Sequence, residues 1–390
     1  MKPFRAAVIG TGFIGPVHVE ALRRAGVDVV AIIGSSPSKS KQSAERLGID
    51  SVHHTLGDVL ADDTIDSVHV TTPNRWHFEQ VQSVITAGKH VLCEKPLAMD
   101  ATESAQLVQL AKDRPLAAGV AYNLRFYPLC HEAAARIQQG SLGKIAHVTG
   151  GYAQDWLLHE TDFNWRVSLT EGGALRAIAD IGTHWLDLVQ FMTRSRIVSV
   201  FADLQTVHPV RQRTKETDSS GSNETFTSRK DDAVATESID IDTEDAGCVM
   251  LHFDNGAKGC LWVSQTTAGR KNCLRFEIAG TNESLAFNSE TPNQLWIGHR
   301  DQPNELLIRD PALLNASAAS VSSYPGGHNE GFPDTFKQLM RSFYGFIAAG
   351  DYSAPRPFPT FEDGHHELRL CDAILQSHRQ QTWIDVSDAI

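Results

Sequence analysis

A short apolar run, Arg5-Ala6-Ala7-Val8-Ile9, passes directly into Gly10-Thr11-Gly12-Phe13-Ile14-Gly15, and a helical pattern follows with Val19, Leu22 and Ala25 on one side. This order of strand, glycine-rich turn and helix leaves few folds open. The run shows no polar alternation, so it reads as a strand buried on both faces of a parallel sheet. In such a turn the first glycine permits the tight bend. The second lets a phosphate approach the backbone, and the third lets the helix pack close on the strand. The helix N-terminus then offers N–H groups and a partial positive charge to an anion. A glycine-rich turn alone is weak evidence. In this context it reads as a dinucleotide fingerprint, with Gly10, Gly12, Phe13, Ile14 and Gly15 as candidate cofactor contacts.

The alternation continues. Strands are expected at Val29–Ile33, Ser67–Thr71, His90–Cys93 and Leu116–Val120. Helices are expected at Ser38–Leu47, stopped by Gly48, at His77–Ala87, closed by Gly88, and at Ala101–Lys112. Strand and helix in turn predict an α/β fold, a doubly wound parallel sheet of the Rossmann kind. The character changes after about Tyr122. Ile145–Tyr152, Ser199–Leu204, Ala246–Phe253, Lys258–Gln265 and Leu274–Ala279 read as strands, and Asp254-Asn255-Gly256 is a hairpin signal. Helices are expected at about His131–Gln139, Thr183–Met192, Phe332–Ala349 and Glu362–His378. The expectation is a Rossmann domain over residues 1–123 and an α+β domain with a large, mostly antiparallel open sheet over 124–390. Residues 211–236, rich in Ser, Thr and charge, read as a polar loop or insertion.

Composition closes off other classes. The 390 residues are too many for one ordinary core, and 41% hydrophobic with 21% charged is usual for a soluble globular chain. A formal net charge of −12 without a basic run argues against nucleic acid and anionic membranes as partners. Six scattered cysteines, none at Cys-x-x-Cys spacing, suit neither a disulfide framework nor a structural zinc site and fit a cytoplasmic protein. No secretory signal and no run long enough to cross a bilayer is expected. The adjacent pairs His53-His54 and His365-His366 are poorly spaced for one metal ion, and no metal is expected. The Gly-x-Ser-x-Gly of a serine hydrolase is missing.

Cofactor choice hangs on the end of the second strand. An Asp or Glu there would bind the ribose hydroxyls of NAD. The chain instead has Gly34-Ser35-Ser36-Pro37-Ser38-Lys39. Ser35, Ser36 and Lys39 suit a 2′-phosphate, which favours NADP over NAD. The same Ser-Ser-Pro-Ser also reads as a cap for the next helix.

Farther on stand Thr72-Pro73-Asn74, then His77, then Gly88-Lys89-His90-Val91-Leu92-Cys93-Glu94-Lys95-Pro96-Leu97-Ala98, and later Asp180-Ile181-Gly182-Thr183-His184. With the glycine fingerprint, these resemble the glucose-fructose oxidoreductase / inositol dehydrogenase / MocA-like family over almost the whole chain. Glu-Lys-Pro and Asp-x-Gly-x-His are the motifs that carry the resemblance. It implies an NAD(P)-dependent oxidoreductase and a homodimer or homotetramer joined through the C-terminal sheet. It also implies that Thr72, Pro73, Asn74, His77 and Glu94 lie near the cofactor and that Lys95 lies between nicotinamide and substrate. Asp180 and His184 would line the opposite wall, and Lys95–Pro96 is a candidate cis peptide bond.

Oxidising an alcohol removes a proton from oxygen and a hydride from the adjacent carbon. Histidine, with an ordinary pKa of about 6.5, suits the base, and His184 is the first choice. Asp180, four residues earlier, can orient the imidazole, bind a substrate hydroxyl, or only cap a helix. Lys95 can polarise the reacting oxygen and stabilise an alkoxide. Arg125, after the fifth strand, reads equally as a substrate contact or a brace of the domain junction. Trp165 and Arg166 lie in a loop whose aromatic and polar groups suit a sugar, or they are ordinary loop packing. His328 is a weaker candidate. The expected activity is hydride transfer between a nicotinamide cofactor and a hydroxyl or keto group of a sugar, cyclitol or related compound. A redox-cycling glycosidase with tightly bound NAD would use nearly the same residues. A non-catalytic NAD(P) sensor would be free to lose Lys95 or His184.

Overall fold

The computed structural model describes residues 3–214 and 236–387. In chain order the elements are β1 (Arg5–Ile9), α1 (Ile14–Arg24), β2 (Asp28–Ile33), α2 (Pro37–Leu47), α3 (Leu56–Ala61), β3 (Ser67–Val70), α4 (His77–Thr86), β4 (His90–Cys93), α5 (Ala101–Ala111), β5 (Ala118–Val120), α6 (Pro128–Gln138), β6 (Ile145–Ala153), α7 (Leu169–Gly172), α8 (Thr183–Thr193), β7 (Ile197–Gln205), β8 (Val210–Thr214), β9 (Thr236–Asp240), β10 (Ala246–Phe253), β11 (Lys258–Ser264), β12 (Cys273–Gly280), β13 (Ser284–Asn288), β14 (Gln294–Gly298), β15 (Glu305–Ile308), α9 (Ala316–Ser320), α10 (Phe332–Ala349), α11 (Phe361–Gln380) and β16 (Ile384–Asp385). They fall into two compact units, residues 1–123 with 333–368, and 124–332 with 369–390.

The first unit is built on a five-stranded sheet in the order β2-β1-β3-β4-β5, every pair parallel. Its strands are mostly apolar, as a sheet covered on both faces requires, with Ser67 and His69 of β3 as buried polar exceptions. Val8, Val68, Val70, Val91 and Leu92 are fully buried, each contributing about 2 kcal/mol of transfer free energy. The helices begin where the sequence offers caps. Ser36 accepts from the Lys39 N–H with Pro37 in the first turn, Thr55 and Asp58 form a capping box, and Asp100 accepts from Glu103. The short α3 escaped the sequence reading because six residues show too little periodicity. Residues 333–368 belong to this unit through an aromatic cluster. Phe343 packs against Tyr344 and Phe358, and Tyr344 against Phe4. A Cβ on Gly119 would come within 2.9 Å of Phe358, so only glycine admits this contact.

The second unit carries a nine-stranded sheet in the order β15-β14-β13-β12-β6-β11-β10-β7-β16. Only β6 and β11 run parallel among these pairs. Alternation sorts its faces. Val249, Leu251, Phe253, Leu261 and Val263 point into a core shared with Leu129 and Ala133 of α6, Trp185 and Leu188 of α8 and Ile374 of α11. Met250 and Trp262 on the same strands are exposed. The mostly antiparallel open sheet expected here is therefore present, with Gly256 at positive φ in the β10–β11 hairpin. The stretch read as a polar loop differs at its ends, which pair as the antiparallel ribbon of β8 and β9. Arg211 in that ribbon is buried, pairing with Asp245 at 2.7 Å. Residues 215–235 lie outside the described residues. No described helix is long and apolar enough to cross a membrane.

Candidate functional site

In the first unit the sheet order reverses direction at β1, and the ends of β1 and β3 flank this switch point, where open α/β sheets receive ligands. Gly10 takes φ +119°, and a Cβ there would lie 2.5 Å from the Thr71 carbonyl oxygen. A Cβ on Gly15 would lie 2.1 Å from the Gly10 carbonyl oxygen. Both glycines are therefore required by close packing. Thr71 ties the turn to β3, its hydroxyl donating to the Ile9 carbonyl at 2.9 Å. Gly12 and Ile14 are half-buried and Phe13 is exposed. Unlike α2, α3 and α5, α1 has no side-chain cap, and no acidic residue stands in its first turn. This helix start, beside a glycine turn, suits the pyrophosphate of a dinucleotide.

At the end of β2, the Ser36 hydroxyl is the cap of α2 and also pairs with Ser38 at 3.0 Å. Ser35 is exposed and Lys39 half-buried. At the end of β3, the Thr72 hydroxyl donates to Gln80 at 2.7 Å, and Pro73 leads into a short 3-10 turn begun by Asn74. His77 is fully buried. Its Nδ1 lies 2.7 Å from the Pro96 carbonyl oxygen and its Nε2 2.8 Å from that of Thr72. Burial is the main influence lowering its pKa. Both ring nitrogens face main-chain carbonyls, and a neutral imidazole donates to one of the two, so His77 packs between the loops after β3 and β4 instead of presenting a polar atom outward. Glu94, directly after β4, is buried, and its Oε2 accepts the Lys95 N–H at 3.2 Å. The Lys95–Pro96 bond is cis, as the motif led us to expect, and Lys95 is half-buried.

In the second unit Asp180 lies in a π-turn, Ile178–Gly182, that runs into α8 at Thr183. Such turns are frequent at functional sites. Arg166 Nε donates to Asp180 Oδ1 at 3.3 Å, and Gln265 Nε2 donates to Oδ2 at 2.8 Å. The Arg166 guanidinium lies 4.4 Å from the centre of the Trp165 ring. His184, 8% exposed, stands in the first turn of α8 with its ring 6.3 Å from that of Tyr152. Tyr152 donates to Asn272 Oδ1 at 2.6 Å, Gln154 Nε2 donates to the same oxygen at 3.0 Å, and Trp156 donates to Gln154 at 2.9 Å. Burial pushes the Tyr152 phenol well up, so it stays protonated. Arg125 forms a fork with Asp187 of α8 and lies over Phe191. Both residues belong to the second unit, so this fork ties the segment before α6 to α8 within that unit. His328 is exposed, with Nδ1 3.3 Å from the Gly326 carbonyl oxygen.

Gln265, Tyr152, Asn272 and Glu244 were not singled out from sequence. Glu244 is the least expected, since its carboxylate accepts the main-chain N–H groups of Arg176 and Ile178 where the π-turn begins. No local motif marks any of these four.

Comparison with known proteins decides the family. Residues 4–122 match the model of an oxidoreductase family with an NAD-binding Rossmann fold, and residues 130–286 match the GFO/IDH/MocA C-terminal domain. The chain belongs to the GFO/IDH/MocA oxidoreductase family. Among relatives of this family, levoglucosan dehydrogenase of Pseudarthrobacter phenanthrenivorans is 28% identical over 99% of each chain. A solved levoglucosan dehydrogenase in complex with NADH and levoglucosan is 26% identical, covers 99% of this chain and 100% of its own, and has a TM-score of 0.86. An inositol dehydrogenase homologue from Azotobacter vinelandii, complexed with NAD+, is 25% identical, covers 98% of this chain and 97% of its own, and has a TM-score of 0.83.

Proposed function

We propose that this GFO/IDH/MocA oxidoreductase transfers a hydride between a nicotinamide cofactor and a hydroxyl or keto group of a sugar, with anhydro sugars and cyclitols the first classes to test. The observation that carries this reading is the uncapped start of α1 beside the glycine turn of residues 10–15, where a Cβ at Gly10 would strike Thr71 and one at Gly15 the Gly10 carbonyl, so the close packing of strand, turn and helix needs glycine at both. A bound nicotinamide supplies the hydride acceptor or donor. Thr72, Pro73, Asn74 and Glu94 belong to the cofactor side in this reading, and His77 supports them by packing between the loops after β3 and β4. The missing carboxylate after β2 supports NADP over NAD. Because Ser36 is engaged as a cap, Ser35 and Lys39 are left as the groups for a 2′-phosphate.

His184 takes the hydroxyl proton in oxidation and returns it in reduction, a role suited to an imidazole. Lys95 polarises the reacting oxygen. Asp180, held on both oxygens by Arg166 and Gln265, is fixed to receive a substrate hydroxyl. Trp165 offers an aromatic face to a sugar ring and Arg166 a donor beside it. The levoglucosan and NADH in the solved relative support the choice of anhydro sugars. A homodimer or homotetramer through the outward face of the nine-stranded sheet belongs to the same reading, supported by exposed Met250 and Trp262. A cytoplasmic location is supported by six free cysteines.

The test follows the reduced-nicotinamide absorbance with NAD+ and NADP+ against levoglucosan, inositols, monosaccharides, sugar acids and aryl glycosides. One reduced cofactor formed per sugar consumed is the expected result. Aglycone release with no net cofactor change would overturn it in favour of redox-cycling glycoside cleavage.

A further inference from the structure

Behind the Glu94-Lys95-Pro96 segment, inside the first unit, lies a continuous chain of buried polar side chains. Ser67 Oγ is 2.6 Å from the Tyr344 hydroxyl, which is 2.9 Å from His69 Nε2. His69 Nδ1 is 3.1 Å from His18 Nδ1, and His18 Nε2 is 3.0 Å from Glu94 Oε1. The other Glu94 oxygen accepts the Lys95 N–H at 3.2 Å. Ser67, His69 and His18 are fully buried, and Tyr344 and Glu94 are at most 6% exposed. Phe336 packs on His18 and Phe343 on His69.

We infer that His18 is a positioning residue for the Glu-Lys-Pro segment, holding Glu94 as an oriented carboxylate through a hydrogen-bond chain of fixed polarity. Counting protons gives the polarity. A carboxylate at Glu94 only accepts, so the proton of a neutral His18 sits on Nε2 and its Nδ1 is an acceptor. His69 must then donate from Nδ1, which makes its Nε2 an acceptor for the Tyr344 hydroxyl. Tyr344 in turn receives the Ser67 hydroxyl proton. Every donor then meets an acceptor, and the carboxylate carries the only charge in the chain. The opposite polarity puts a proton on His18 Nδ1. It then requires a second proton in the chain, on His18 as an imidazolium or on Glu94 as an acid, or else it sets a bare nitrogen against a carboxylate oxygen; only the first polarity pairs every donor with an acceptor when each imidazole carries one proton. Burial lowers the His69 pKa well below its usual value and keeps Tyr344 a phenol, so neither of these two groups adds a charge to the chain.

The consequence is local to Lys95. With Oε1 fixed by His18, Oε2 is aimed at the Lys95 amide, and the backbone that carries the lysine is held from below. The importance of this for turnover rests on the role proposed for Lys95. The polarity and the positioning do not, and they are tested without substrate. Ring nitrogens of 15N-histidine-labelled full-length protein, assigned with His18→Gln and His69→Gln variants, report tautomers directly. The expected result is His18 protonated on Nε2 alone and His69 on Nδ1 alone. The reversed pattern, or an imidazolium at His18, overturns the inference. Amide hydrogen exchange of the peptide carrying Lys95 tests the positioning. His18→Leu removes the donor and should speed Lys95 exchange about tenfold, while His18→Gln keeps an N–H for Glu94 and should stay within about threefold of the parent. Equal protection in parent and His18→Leu, or equal loss in both variants, overturns it. If His18→Leu fails to fold, the tautomers and the His18→Gln exchange still decide.

Discussion

The Glu244 carboxylate accepts the main-chain N–H of Ile178 at 2.8 Å, two residues before Asp180 on the same turn. It also accepts the Arg176 N–H at 2.9 Å, so one side chain caps the segment that leads to Asp180 and His184. Burial, the largest influence, raises its pKa from an ordinary 4.5 to about 7 against the opposing pull of those N–H groups and Arg176.

A raised carboxyl pKa contributes stability that is complete below about pH 4.5 and is lost as pH rises through about 7. Glu244→Gln keeps an acceptor for both N–H groups and cannot ionise. Chemical unfolding at pH 5 and pH 8 should show the parent losing about 2–3 kcal/mol more stability than the variant over that interval. The Arg176 charge that acts on this group is common to both proteins. Equal losses would show that Glu244 does not titrate there.

Gly15→Ala places a Cβ 2.1 Å from the Gly10 carbonyl oxygen, main-chain atoms that cannot move aside cheaply. The variant should lose about 2–4 kcal/mol of stability and bind reduced nicotinamide at least about tenfold more weakly. Thermal unfolding and cofactor fluorescence read the two effects. Unchanged affinity would separate this turn from the cofactor.

Lys95→Ala should lower kcat by about a hundredfold or more while changing cofactor Kd by less than about threefold, because a group that stabilises developing charge acts on the transition state. Steady-state rates beside a binding titration check it. Near-parent turnover would remove Lys95 from the chemistry.

Lys39→Ala should weaken NADP binding by about fivefold and NAD binding little, since an ammonium near a 2′-phosphate contributes about 1 kcal/mol. Competition titrations with the two cofactors measure the difference. Equal losses would remove the reason to prefer NADP.

The parts of the candidate site legible in the sequence are those carried by local motifs. The glycine turn, the Glu94-Lys95-Pro96 segment and the Asp180-to-His184 run each lie within a few residues, so one stretch of chain shows the pattern. Gln265, 85 residues from the Asp180 it contacts, is brought there by the nine-stranded sheet, and Glu244 reaches Ile178 across 66 residues. Nothing near either residue signals such a partner. The same limit applies to α10. Its amphipathic pattern shows that one face is buried, but not that Tyr344 meets Ser67 and His69 in the first unit. Ser36 and Arg125 were each open to two readings, and observed contacts supply a cap for one and a fork with Asp187 for the other.

The central claim is a hydride passed between a sugar carbon and a nicotinamide, and an anhydro sugar deuterated at its ring carbons tests it most directly. After incubation with the oxidised cofactor, mass spectrometry of the reduced nicotinamide should show one deuterium per molecule, matched by an equal amount of keto sugar. Sugar recovered with all its deuterium and a cofactor without any, across anhydro sugars, cyclitols and monosaccharides, would contradict the account.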